Sequence, residues 1–478
     1  MDNFLKIFNL IFVNIISNPE FFIGIIVFIG YLLIGKKVYE AFAGFLKAAI
    51  GFLILGVGSS GLVKNFSPIL KGLDEKFSMS AIVIDPNFGY NAANQALNSI
   101  GLTASWSMIS LLIGFSWNIV LVLLKKYTKI NTLFITGHIM VKQAAVATWI
   151  VFMAIPELRN IFGALSVGVL IGTYWSVFSN LTLEATNNLA GGEAGFAVGH
   201  QQMLGVWIAD KISARLGDKE KNIDDLKLPG CLNILSDNVV ATGTMMLLFF
   251  GVILFAIGEP TLRVHDSSGF SGGIIFITYV VKKSLSFAVN LVVLMTGVRM
   301  FVSELVESFT GISEKLLKGA VPAVDCAVVF GYASQNTILF GFLLGALGQL
   351  VAIIGLLLFK SPLMIIPGFV PLFFDNATIA IFANKRGGIR AATIVSFFSG
   401  VIQILGSFIA VKLFVMESYG GWIGNFDWDT FWPIIGFVMK RFSSLGLIMC
   451  VLFMLIIPHI TNKGKKEDLQ KIEEENYV

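Results

Sequence analysis

FITGHIMVKQAAVATWIVF, residues 134–152, is about as long and as apolar as a bilayer crossing requires, yet it carries His138, Lys142 and Gln143 in its first half. Polar groups at membrane depth cost several kcal/mol unless they find partners or line a watery cavity. His138 and Lys142 stand four residues apart and share one helix face. Gly137, just before them, allows a helix break there, which would turn free N–H groups toward an anionic or hydroxyl-rich ligand. The plainer alternative is a histidine satisfied by a neighbouring helix.

The rest of the chain has the same character. Of 478 residues, 56% are hydrophobic and only 13% charged, with a mean hydropathy of +0.81. A water-soluble chain cannot bury that much apolar surface, so lipid must cover the remainder. The expected class is an all-α integral membrane protein. Apolar stretches of spanning length lie near 20–35, 42–63, 101–124, 131–154, 160–179, 238–258, 273–298, 327–358, 362–383, 390–414 and 433–458, giving about 11 transmembrane helices. Lys36-Lys37, Lys125-Lys126 and Lys463 to Lys466 flank these runs, as in cytoplasmic loops. The net charge of +4 comes with no basic stripe, so no nucleic acid partner is expected.

Residues 1–460 read as a single polytopic unit, and 461–478 as a charged cytoplasmic tail. Asp210 to Leu228, DKISARLGDKEKNIDDLKL, reads as an aqueous loop. Met1 to Ile16 reads as an interfacial helix, with no removable signal peptide. The three cysteines, Cys231, Cys326 and Cys450, are too scattered for a disulfide framework or a metal site, and Cys326 and Cys450 read as small hydrophobes.

The two parts of the chain echo each other, over about 20–205 and 273–415. AIVID closes on Asp85 and AVPAVD on Asp325; ITGHI at 135–139 is matched by IPGFV at 366–370. Repeats with interrupted helices at matching places mark transporters. Either aspartate can contact a ligand or cap a half-helix. Gly191 to Gln202 is glycine-rich and ends in His200, Gln201 and Gln202, whose imidazole and amides suit hydroxyl recognition. Pro367 and Pro371 interrupt a run holding Asp375 and Asn376, a poor straight helix and a good re-entrant hairpin. Arg299, Glu304 and Glu307 read as an ion-paired interface face. No HExxH and no GxxxxGK[ST] occurs, so neither zinc hydrolysis nor direct ATP use is expected.

TGHIM (136–140), GFAVGHQQ (195–202), DLKLPGCLNILSDN (225–238), GVRMFVSEL (297–305), GAVPAVDCA (319–327), and IPGFVPLFF with NATI (366–379) resemble the membrane C component of the ascorbate branch of the sugar phosphotransferase system. The resemblance runs over nearly the whole chain. It implies a multi-pass cell-membrane homodimer with an inverted repeat and re-entrant hairpins. A core (transport) domain would move against a V-shaped dimerisation domain in an elevator-like motion. The cargo would be L-ascorbate or a related sugar acid, phosphorylated by a separate B component that an A component recharges. The permease itself would then be no enzyme and would need no cofactor or metal. Matching motifs would place ligand contacts on Pro86 and Asn87, on His138, Ile139, Met140, Val141 and Lys142, on His200 and Gln201, and on Asp325. Lys142 stands where the family pattern has glutamine, and PNFGYNAANQ after Asp85 also departs from it. A competing expectation is an ion-coupled secondary transporter of a small polar anion, with Asp325, Asp375 and His138 as ion sites.

Overall fold

Several polar interruptions in the sequence, among them Asp85, Thr136 and Asp325, are places where a helix starts. The computed structural model describes residues 19–77, 80–223, 238–317 and 319–475. The interfacial helix expected over Met1 to Ile16, Cys231 and residues 224–228 of the expected loop lie outside these. Two helices open the described chain, α1 (Pro19–Leu33) and α2 (Val38–Phe77). Strand β1 (Ser80–Ile84) leads to α3 (Pro86–Ser99) and α4 (Ser105–Leu123). Strand β2 (Thr132–Phe134) leads to α5 (Gly137–Ala154) and α6 (Ile161–Ala190), and β3 (Ala197–Val198) to α7 (Met203–Leu216). Then come α8 (Asn238–Ile257), α9 (Glu259–His265) and α10 (Phe276–Leu316).

The order then recurs. Strand β4 (Val321–Val324) leads through a 3-10 segment (Cys326–Tyr332) to α11 (Gln335–Leu358). Strand β5 (Leu363–Pro367) leads through a wide turn (Val370–Asp375) to α12 (Asn376–Leu413), and β6 (Gly421–Trp422) to α13 (Phe426–Glu475). Helix dominates, as the apolar composition requires, but the six short strands were not anticipated. They form two parallel ribbons, in the orders β5-β1-β6 and β2-β4-β3. Ile84 pairs with Pro367 and Trp422 in one; Ala323 pairs with Phe134 and Ala197 in the other. Backbone at membrane depth must be hydrogen-bonded within the protein, and the ribbons supply those bonds where the helices break.

Among the described residues seven helices are long and apolar enough to cross a membrane, or eight counting α8 with α9, which meet at a bend of 96°. The other expected spans lie in helices of other lengths or bounds. The stretch 20–35 holds the 15-residue α1, Pro19–Leu33. The stretch 273–298 falls almost wholly within the 41-residue α10, Phe276–Leu316. The stretches 362–383 and 390–414 run together as Val370–Leu413, turned at Gly388 (φ 63°, ψ −162°). A Cβ there would lie 2.1 Å from the Asp218 carbonyl oxygen, so only glycine fits the turn.

Helices α1, α2, α8, α9 and α10 pack mainly on one another; α3 to α7 and α11 to α13 form the larger group around the ribbons. Within the first group, Tyr31 Oη donates to Glu304 (2.6 Å) and Glu307 (2.7 Å), while Lys47 pairs with Glu304 at 3.1 Å and Lys36 with Glu307. This is the ion-paired face expected of Glu304 and Glu307; the Arg299 side chain lies outside the described residues. The aqueous loop begins later than expected. Asp210 is buried in α7, bonded to Asn188 at 3.1 Å and paired with Arg386 at 3.5 Å.

Candidate functional site

The site is built where strands give way to helix starts. Asp325 ends β4, and its Oδ1 accepts from the Ala327 N–H at 2.9 Å. Asp85 ends β1 in the same way, accepting from the Asn87 N–H at 2.9 Å. The two readings offered for these aspartates, cap and ligand contact, are compatible, because capping uses only one oxygen. The second oxygen of Asp325 lies 3.0 Å from His138 Nε2. That of Asp85 accepts from the Val370 N–H at 3.2 Å, so Asp85 is more fully committed to structure. Asn87 also donates its side-chain amide to Asp85 at 2.8 Å, and both Pro86 and Asn87 are buried at the head of α3.

His138 sits in the first turn of α5, whose cap residue Thr136 makes no side-chain capping bond. His200 approaches from the loop between β3 and α7, its ring centroid 6.4 Å from that of His138. The ligand atoms of His138, His200 and Asp325 all lie within 4.8 Å of one another. That spacing suits a solute hydroxyl, which can bridge imidazoles and a carboxylate. It is also close enough for the three to share a metal ion; the ion-coupled alternative had grouped His138 and Asp325 with Asp375 instead.

Lys142, one turn along α5, is only 4% exposed, yet among the described residues no hydrogen bond or ion pair closes on its ammonium. Its charge interacts with the carboxylates of Asp85 and Asp325, and His200 interacts with Asp325, His138 and Lys142. The five groups therefore form one electrostatic cluster. Gln201 is fully buried, and neither atom of its carboxamide meets a partner among the described residues. A buried amide left unmatched costs about 1–3 kcal/mol, which a polar ligand would recover. Ile139, Met140 and Val141 point their side chains into the apolar core, so what they offer the site is backbone.

Second-layer contacts hold these groups in place. The Gln143 amide donates to the His200 carbonyl at 3.3 Å and accepts from the Trp175 indole. His200 Nδ1 lies 2.5 Å from the Gln202 side-chain oxygen. Asp427, which the sequence did not single out, bonds the backbone N–H of Leu204 (3.0 Å) and Gly205 (3.4 Å) and the Tyr174 hydroxyl (2.7 Å). Its own N–H donates to the Gln201 carbonyl at 3.1 Å. It thus pins the His200–Gln202 loop from a residue more than two hundred positions away, a distance at which sequence gives no signal. Asp375 proves to be a packing group: it accepts from the Asn425 amide (2.6 Å), the Phe426 N–H (2.9 Å) and the Gln403 amide (3.2 Å), capping α13.

A buried cluster of charged and amide groups at helix breaks, inside a many-span membrane protein, is how a permease holds a polar solute. The family model described as PTS system sugar-specific permease component matches residues 14–433. The chain belongs to that family. It is also 35% identical over 433 residues to a Mycoplasma pneumoniae protein named "Ascorbate-specific PTS system EIIC component", an alignment covering 82% of this chain and 64% of the relative. The chain thus spans somewhat less than two thirds of that relative's length. Membership places it among sugar-specific permease components, and its several helices of spanning length fit the multi-pass form of that family.

Proposed function

We propose that the chain is the membrane permease of an ascorbate-type phosphotransferase system, carrying L-ascorbate or a related sugar acid across the cell membrane. The observation that carries this reading is the convergence of His138, His200 and Asp325 within 4.8 Å, with Lys142 and Gln201 buried beside them and short of protein partners. A sugar acid offers a negative charge for the ammonium and hydroxyls for the imidazoles, the carboxylate and the amide. The contact set would be Pro86, Asn87, His138 to Lys142, His200, Gln201 and Asp325, with Ile139, Met140 and Val141 contributing main chain.

No phosphorylating constellation is needed in this chain, since the B component takes that role after an A component charges it. The recurring order of strand, capped helix start and helix supports an inverted repeat. The helix group α1, α2, α8, α9 and α10 would serve as the V-shaped dimerisation domain, and the larger group as the core that moves in an elevator-like way. Eleven spans result if α1, α10 and the α8–α9 pair each cross and Val370–Leu413 counts as two.

The test is uptake of labelled L-ascorbate into proteoliposomes holding the purified chain. Label should accumulate, in phosphorylated form, only with the cognate B and A proteins and phosphoenolpyruvate present. Accumulation of free label under a proton or sodium gradient alone would replace this reading with that of an ion-coupled transporter.

A further inference from the structure

A second polar feature lies away from the central cluster, at the seam between the two helix groups. A cavity of about 620 Å³ opens there, lined by Ser60, Lys64 and Ser67 of α2, by Asn91 and Gln95 of α3, and by the corner at His265 and Asp266. The polar residues recur at helical spacing on both walls. On α2 they are 60, 64 and 67; on α3 they are 91 and 95, in register with Asn87 of the central cluster. At 1.5 Å per residue, one face of α3 therefore carries an amide about every 6 Å, from the head of the helix outward. A face of that kind is out of place against lipid or apolar core and in place along a wetted track.

The charges at this seam are unequal. His265 faces Glu75 at 2.5 Å. Asp266 is bound by Lys283 at 2.6 Å and by the Tyr279 hydroxyl at 2.9 Å. Burial pushes the Asp266 carboxyl up, but those two bonds outweigh it and hold the group below its usual range, so it stays ionised and paired. Among the described residues no carboxylate pairs with Lys64, which is exposed. Its charge therefore stands in the cavity without a salt-bridge partner among the described residues. Lys36 meets Glu307 toward the other end of the α2–α10 pair, so the cavity and the Lys36-Lys37 loop lie at opposite ends.

We infer that the α2–α3 seam is an anion-collecting vestibule, in which Lys64 draws small polyhydroxylated anions in and the amides of Asn91 and Gln95 pass them toward Asn87 and the central cluster. The inference rests on the proposed transport role for the identity of the cargo, but not for the vestibule's wetness or charge.

The test uses Asn91→Cys and Gln95→Cys, made separately in the full-length purified chain, and two water-soluble methanethiosulfonate reagents, one anionic and one cationic. The parent chain sets the background. Both cysteines should react, and the anionic reagent should be favoured. Adding Lys64→Gln should lower the anionic-to-cationic rate ratio about fivefold, the order expected for removing one unit charge from a wet cleft. Saturating L-ascorbate should slow both reactions. Failure of both cysteines to react overturns the inference, as does a ratio indifferent to Lys64→Gln. If reactivity and charge selectivity hold but ascorbate gives no protection while gluconate does, the vestibule stands and the ascorbate assignment falls.

Discussion

At the scale of single residues, the site combines groups that are satisfied with groups that are not. The His138–Asp325 contact at 3.0 Å is shared by two partly exposed side chains, so both keep capacity for a ligand. His138→Ala and Asp325→Asn should each weaken sugar-acid binding about 10- to 100-fold, the range for one hydrogen bond to a charged group. Calorimetry on purified protein measures this, and an unchanged melting temperature separates it from misfolding. Lys142→Gln should act on preference rather than on binding in general. Affinity for an anion such as ascorbate should fall about tenfold relative to a neutral polyol; an unchanged ratio would remove the ammonium from the recognition scheme. His138, Lys142 and Asp325 were legible in the sequence because each breaks an apolar run, and His200 and Gln201 because they close a glycine-rich stretch. Asp427 was not, because its role rests on contacts with α6 and α7, and nothing in the local sequence at 427 distinguishes a cap for a distant helix from one for its own.

Among the elements, the helices were legible wherever the apolar run and the helix coincide, as over 101–124, where α4 spans Ser105–Leu123. They were less so where a run conceals a change of structure. Residues 131–154 hold strand β2, a break at Thr136 and then α5, and hydropathy is blind to that switch. The strands were missed because four- and five-residue apolar pieces such as VPAV and SAIVI look the same in a short strand and in a buried helix end. Gly388→Ala places a side chain at a positive φ and against two backbone oxygens, 2.1 and 2.4 Å away, and should cost about 1–3 kcal/mol. Thermal unfolding in detergent reads this directly. Asp427→Ala removes the cap of α7 and leaves the Tyr174 hydroxyl buried without its acceptor, a loss of about 2 kcal/mol or more. The variant should bind the solute less tightly as well, because the His200–Gln202 loop loses its anchor.

For the molecule as a whole, the two parts of the chain are laced together. Strand β1 of the first part lies between β5 and β6 of the second, and β4 of the second lies between β2 and β3 of the first. The central cluster inherits the same mixture, with His138 and His200 from one part and Asp325 from the other. Residues 1–230 and 231–478 expressed separately should therefore bind no solute, while the two expressed together should recover binding. Co-purification of a tagged fragment with its complement, followed by a binding assay, checks this; binding by either fragment alone would contradict the shared site.

That lacing also sets an order of events during synthesis. When Ser80–Ile84 leaves the ribosome, the strand it will pair with, Leu363–Pro367, has yet to be translated. Its bare amides and carbonyls have no place in hydrocarbon meanwhile. The early half must therefore wait at the insertion machinery or at the lipid surface, and the last third of the polypeptide draws it inward.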